Sequence, residues 1–575
     1  MPEAMLTKCR PISSLLAVAC ARTRLALTSA AIHLALTFAC HGALASVADD
    51  IRIEATRPNQ DAEGYALPLI SHWTTGNHAL SRGWAPARQL ELIDQGHYLL
   101  PWFQLPGRTT SDYPQTAAEF TEYYEESIKR AAVLRLPLVF IASQWEAGLS
   151  KDPYLRLPAE LNPNVVTADG IVLPKVSPFG PVQPWIEIGL ATTATSWMKQ
   201  IAEWYPDPPL VIFLSNNEHA KLMWKDAELD RRYVAANGTG TSKSLKKDLV
   251  SKGWIERYRA LQAGMRSGLA SPAWRSASIF IGYDAAGPPH FGRWAEWDSY
   301  ALNTSEFIDP SPLVWDGGSP SFYTDNWRES TDFTMYCPQI EFMNLVFMNA
   351  SARLVNPRFW YEMSVWDGHM PDDPATDKRG YYESLGQSYS PARYGGMVRF
   401  GMWLTRPRAV REFRDWVYPR EDGNDYFMSL VAAVDEVHNT PLLRDWWQRG
   451  TLVVNPAGMH PYQVQIPPEY QSVNRWFLLD SDANPPKPWA PSTRLRVYAL
   501  AMSRVRDHGA EWLVYAHAPT GPVADADVKL PGYGVLRIMV PTEGAFYQVG
   551  RGEVRRVMPW STELQPRAPL GVRAD

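Results

Sequence analysis

The chain has 575 residues, 45% of them hydrophobic and 20% charged, with a net charge of −5. That length exceeds one ordinary core and predicts two or three domains, while the slight acidic balance excludes the basic surface that a nucleic-acid backbone selects. Its 24 Trp and 26 Tyr are flat rings with polar edges, which fill cores and also stack on the apolar faces of sugars.

Residues 1–45 read as a secretory signal peptide. Lys8, Arg10, Arg22 and Arg24 precede an apolar run, Leu25 to Phe38, which ends in Ala43-Leu44-Ala45. Three of the four cysteines, Cys9, Cys20 and Cys40, fall in that segment, so the mature chain keeps Cys337 alone and forms no intrachain disulfide. No later apolar run reaches the ~20 residues that a membrane span requires. A secreted or periplasmic protein is expected.

From residue 66 onward short apolar strands alternate with helical stretches. The strands expected are Ala66 to Trp73, His97 to Phe103, Pro137 to Trp145, Pro209 to Ser215, Ser278 to Tyr283, Pro312 to Asp316, Phe359 to Glu362 and Met397 to Leu404. Between them, Ala117 to Leu134, Trp185 to Trp204, Trp254 to Leu269 and Thr334 to Val355 carry apolar residues at helical spacing. Alternation of this kind specifies an α/β fold with a parallel sheet, and eight such units specify a (β/α)₈ TIM barrel over residues 46–450. No glycine-rich phosphate loop follows the first strand, which argues against an open doubly wound sheet. Tyr426 to Arg449 is helical. Residues 451–575 then carry short alternating strands between Gly, Pro and Asp turns, the pattern of a C-terminal β-sandwich domain with a connecting segment.

Two glutamates stand out. Glu218 ends Val211-Ile-Phe-Leu-Ser-Asn-Asn-Glu218, and Glu362 lies in Phe359-Trp-Tyr-Glu-Met-Ser-Val-Trp-Asp367. Barrel enzymes place their reacting groups at the carboxyl ends of strands. A retaining glycosidase needs one carboxylic acid to protonate the leaving oxygen and one carboxylate to attack the anomeric carbon, about 5–5.5 Å apart. Glu218 suits the acid/base role and Glu362 the nucleophile role. Asn217 could bond a sugar hydroxyl beside the reacting carbon.

The Asn217-Glu218 pair, Glu362 and the eight-strand layout together resemble the clan A glycoside hydrolases at the level of the clan. The resemblance implies retaining double displacement without metal or cofactor, and a tyrosine near strand six, here Tyr323, that orients the nucleophile. A trailing β-sandwich is also common in that clan. Independently, no histidine pair has metal-ligand spacing and no Gly-x-Ser-x-Gly elbow is present.

Aromatic residues where sugars would stack are Trp73, Trp102, Trp145, Tyr283, Trp315, Tyr323, Trp327, Trp366 and Trp403, with His72, His97, His219 and His290 as hydroxyl partners. Rival carboxylates are Glu146, Asp284, Asp316 and Asp367. An inverting glycosidase would pair Glu218 with Asp284 or Asp316, and a barrel that only binds carbohydrate would need no pair. The expected partner is a poly- or oligosaccharide. For Glu362 the bland alternative is a structural salt bridge to an arginine, since a carboxylate among aromatics must be paired or hold its proton.

Overall fold

In the computed structural model the chain forms two compact units, Met1–Arg52 and Ile53–Asp575. The residues described are 50, 52–58, 69–70, 92–100, 102–105, 117–141, 145–216, 221–283, 311–323, 345–346, 349–350, 352–366, 390–412, 423–455, 477–481, 495–507, 509–550 and 552–558. Among them no helix is long and apolar enough to cross a membrane.

The second unit is mixed α/β, centred on a curled sheet of parallel strands. They are β1 (Leu69–Ile70), β2 (Leu99–Leu100), β3 (Trp102–Gln104), β4 (Leu138–Ile141), β7 (Val211–Asn216), β8 (Ser278–Tyr283), β9 (Gly317–Gly318), β10 (Ser321–Tyr323), β11 (Trp360–Trp366) and β12 (Ala409–Glu412). An antiparallel hairpin, β5 (Asn164–Val166) and β6 (Val172–Val176), is inserted between β4 and β7. In the parallel sheet β4, β7, β8, β9, β11 and β12 follow one another as neighbours, and β12 pairs with β1. β2 pairs with β1 and β3 with β4, so the stretch 99–104 has one neighbour on either side.

These strands are near-continuous apolar runs because both faces are covered. On the inner face Leu100, Val139, Ile212, Leu214, Ile281, Trp360 and Ala409 form one cluster. The outer face carries a ladder of rings, Phe103, Phe140, Phe213 and Phe280, with successive centroids 5.7, 5.8 and 5.5 Å apart. Helices cover that ladder, with Tyr124 from the first of them lying 5.8 Å from Phe103.

The principal helices are α1 (Ala117–Val133), α2 (Trp145–Leu149), α3 (Gln183–Thr193), α4 (Ser196–Trp204), α5 (Lys243–Gly268), α6 (Ser311–Val314), α7 (Pro391–Thr405), α8 (Gly423–Asn439) and α9 (Pro441–Arg449). The expected helix 185–204 is thus two, because Thr195 leaves helical geometry and caps α4 through the Met198 N–H. Helices α3 and α5 touch backbone to backbone. A Cβ at Gly264 would collide with the Ile186 carbonyl oxygen, and one at Gly189 with that of Leu261. Gly264→Ala is therefore expected to cost about 1–3 kcal/mol by forcing the helices apart. Denaturant unfolding measures it, and a change near zero would show that the two helices separate freely.

Two predicted strands are corrected. Residues 311–314 form α6, and strand six follows them as β9 and β10. Asp316 therefore precedes the strand that it was expected to end. Residues 397–404 belong to α7 and are not a strand; strand eight is β12. An all-apolar run reads alike as a buried strand or as a helix buried all round, and α7 is buried along nearly its whole length. Its start was legible, however: Ser390 accepts the Arg393 N–H and Pro391 opens the first turn.

The C-terminal residues form a five-stranded antiparallel sheet and a two-stranded ribbon. The sheet runs β13 (Thr451–Leu452), β14 (Tyr498–Arg506), β15 (Gly509–His517), β18 (Ala545–Gly550) and β19 (Glu553–Val557). The ribbon pairs β16 (Val523–Leu530) with β17 (Gly534–Val540). Val514, Ala516 and Val549 from the sheet share one apolar cluster with Val528, Leu536 and Ile538 from the ribbon. The other sheet face lies on α7, where Phe400 is 5.9 Å from Tyr498 and Trp403 is 5.0 Å from Phe546. Arg504 seals the edge, 3.9 Å over the Trp446 ring and paired with Asp445 and Glu511.

Candidate active site

Alternation along parallel strands puts every second residue on the inner face. Register aligns Leu214, Ile281, Gly317 and Trp360 in one inward row. Two residues onward in sequence stand Asn216, Tyr283, Ser319 and Glu362, of which Ser319 lies just beyond the end of β9. Asn216 and Tyr283 are the last residues of β7 and β8, so Glu362 is level with the carboxyl ends of strands four and five. Its own strand runs on to Trp366, so Glu362 does not end strand seven as expected. Of the predicted binding residues, Tyr283 falls in the Glu362 row, and Tyr323 pairs in register with Trp366 farther toward the carboxyl ends. Trp102 is level with Val139, nearer the amino ends.

Glu362 has no exposed surface. Its Oε1 accepts the indole N–H of Trp360 at 3.0 Å. Its Oε2 lies 3.4 Å from Nε of Arg411 but has no hydrogen-bond partner among the described residues. Arg411 comes from β12 and donates from Nε to the Ser319 hydroxyl at 2.8 Å. Burial pushes the Glu362 carboxyl above the usual range, and the Arg411 charge and the Trp360 N–H pull it only partly back. Ser364, at an inward position facing Arg411 in register, is buried with no hydrogen-bond partner for its hydroxyl among the described residues. One oxygen of the carboxylate is thus tethered and the other has uncommitted lone pairs, in a polar cluster otherwise walled by apolar strands.

The partners Arg411, Ser319 and Trp360 were missed in the sequence. Arg411 hides in Ala-Val-Arg-Glu, a run too short to register as a strand, and only cross-strand register brings it to Glu362.

Other predicted residues occupy different surroundings. Trp145 is fully buried in α2, its N–H donated to Thr192 at 3.2 Å, so no ring face remains for a sugar. Trp403 is likewise buried, edge-on to Trp447 at 5.2 Å, and belongs to the junction with the C-terminal sheet. Trp315 is buried against Tyr258. The Asp316 carboxylate accepts from the Phe280 N–H and from Arg266 of α5, each at 3.0 Å, and so faces the helical layer instead of the interior. His97 pairs through Nδ1 with Asp435 at 2.8 Å near the amino end of β2. Glu218, Asn217, His72, Trp73, Trp327, Asp284 and Asp367 lie outside the described residues, as do His219 and His290. Among the described residues no group of His, Cys, Asp or Glu is arranged as a metal centre.

No protein-family model matches the sequence, and neither does any curated protein. Similar solved structures include a family 36 α-galactosidase of Geobacillus stearothermophilus, with a TM-score of 0.41 at 11% identity over 90% of this chain and 59% of that one. An endo-β-1,4-mannanase of Cellulomonas fimi aligns at a TM-score of 0.34 and 11% identity, covering 90% of this chain and 97% of that one. An α-L-fucosidase of Paenibacillus thiaminolyticus aligns at 0.36 and 12%, covering 68% and 51%. These neighbours are glycoside hydrolases. This chain spans 59% of the length of the first of them. Alignments this loose assign no residue of this chain.

Proposed function

We propose that the protein is an exported glycoside hydrolase acting on a poly- or oligosaccharide by double displacement. Its catalytic part, residues 46–450, is read as a complete (β/α)₈ barrel, supported by the stretch 99–104 pairing on both sides. Residues 451–575 are read as a β-sandwich domain packed on it.

The observation that carries the reading is the row shared by Glu362 with the last residues of β7 and β8. Glu218 follows Asn216 by two positions in sequence, which suits it to serve the same barrel mouth. In the first step the free Oε2 of Glu362 attacks the anomeric carbon. The bond to the leaving oxygen breaks, its electron pair departs with that oxygen, and Glu218 supplies the proton. Water, deprotonated by Glu218, then displaces the Glu362 ester and returns both carboxyl groups to their starting forms.

Glu218→Gln tests the acid role. Its kcat/KM on sugars with poor leaving groups is expected to fall about 10²–10⁴-fold. On aryl glycosides with good leaving groups the first step should survive better. Equal losses on both would sink the assignment. The anomer first released, followed by NMR, reports retention directly; inversion would overturn the double displacement.

A second reading is favoured by the length of β11. Asp367 directly follows its last residue, Trp366, and would serve as the strand-seven carboxylate in place of Glu362. Loss of turnover in Asp367→Asn but not in Glu362→Gln would select it.

A further inference from the structure

Arg411 stands on the strand after the one that carries Glu362, is 1% exposed, and reaches across the interior to two strands at once. Its Nε donates to Ser319 Oγ at 2.8 Å while lying 3.4 Å from Glu362 Oε2. The anchor on Ser319 matters. A guanidinium free to rotate would close a bidentate grip on the carboxylate and occupy both of its oxygens. Held by the serine, it supplies charge without taking up the Oε2 lone pairs.

We propose that Arg411 is a positioning residue for the reaction: anchored on Ser319, it holds Glu362 as the carboxylate with one oxygen free for attack. This rests on the reading of Glu362 as nucleophile. Among the described residues, the other groups facing Glu362 are neutral: Ser319 from strand six and Trp360 from its own strand. Arg408, which precedes β12, lies over the Trp360 ring at 5.9 Å from its centroid. Arg411 is therefore the charge set directly against the cost of burying this carboxylate, a cost that pushes its pKa upward.

The test titrates Glu362 in the full-length protein by its infrared carboxyl stretch, as the difference between each form and the same form carrying Glu362→Gln. In Arg411→Met the midpoint is expected to rise by about 1–3 pH units. Arg411→Lys, which keeps the charge, should stay near the wild type. Ser319→Ala, which removes only the anchor, should shift it upward by a smaller amount and serves if Arg411→Met does not fold. Unmoved midpoints in Arg411→Met, or in Ser319→Ala where that variant stands in, would overturn the proposal, because a purely structural arginine would alter stability alone. The aryl glycoside that the wild type cleaves fastest supplies a parallel readout, in which the acidic limb of kcat/KM should follow the infrared midpoint. Turnover kept by Glu362→Gln would defeat the nucleophile assignment itself, an outcome separate from the midpoint result.

Discussion

Glu362→Gln is expected to lower turnover by roughly 10⁴-fold or more, the scale on which loss of a covalent nucleophile registers. The same substitution is expected to destabilise the fold by about 3–5 kcal/mol, the usual cost of removing one partner of a buried ion pair. The amide can still accept the Trp360 N–H, so that tether survives. What is lost is the negative charge beside Arg411, which then stays ionised in a nearly inaccessible interior. Pairing Glu362→Gln with Arg411→Met removes the guanidinium charge together with the carboxylate and should recover part of the stability while recovering none of the activity. Denaturant unfolding and hydrolysis of an aryl-glycoside panel measure the two effects separately. Additive destabilisation in the double variant would mean that the residues are not coupled, and turnover near wild type would move the search to Asp367.

Acid is expected to loosen the junction between α7 and the C-terminal sheet through His517. Its ring is fully buried, with Nδ1 bonded to the Thr542 carbonyl at 2.6 Å and Nε2 without a partner among the described residues. It lies against Gly396, where a Cβ would collide with the ring. Burial, together with the Arg393 and Arg399 charges, lowers its pKa to about 3, against the hydrogen bond to Thr542. Arg399 itself is held by Glu436 at 2.5 Å. A histidine depressed in the folded state binds its proton first in the unfolded chain. Its stabilising effect is therefore complete above pH 6.5 and is lost as pH falls toward about 3. By pH 5 the loss is about 2 kcal/mol, from roughly 1.5 units at 1.36 kcal/mol each. His517→Asn can still donate to Thr542 and cannot titrate, so its unfolding free energy should fall less between pH 7 and pH 5. Parallel slopes for variant and wild type would show that His517 does not govern this window.

Much of the alternation was legible because local rules suffice for it. Strands buried on both faces announce themselves as unbroken apolar runs, and Ser278 to Tyr283 matches β8 from end to end. The alternating strands beyond residue 490 were readable from their period of two, with only the last, β19, passed over; its pattern is largely polar and exposed. The failures fell where one pattern has two solutions. Met397 to Leu404 is apolar on every side because α7 lies between the parallel sheet and the C-terminal sheet, and no periodicity survives burial all round. Trp145 and Trp403 illustrate the same ambiguity for single residues. An aromatic at a segment boundary reads as a sugar platform or as core, and only its neighbours decide.

By itself the sequence determined that Glu362 had to be paired or protonated, since a carboxylate among Phe, Trp and Tyr has no water to solvate it. It also determined most of the segments that form parallel strands, through their length and apolar content, but not β9, β10 or β12. The tertiary structure alone decided the partner and the level. Arg411 and Ser319 are distant along the chain and meet Glu362 only through the register of neighbouring strands. The same register brings Glu362 level with the ends of β7 and β8 while its own strand continues. Side-chain type follows from local sequence; which charges face one another follows from pairing, and pairing is fixed by the packing of the whole sheet.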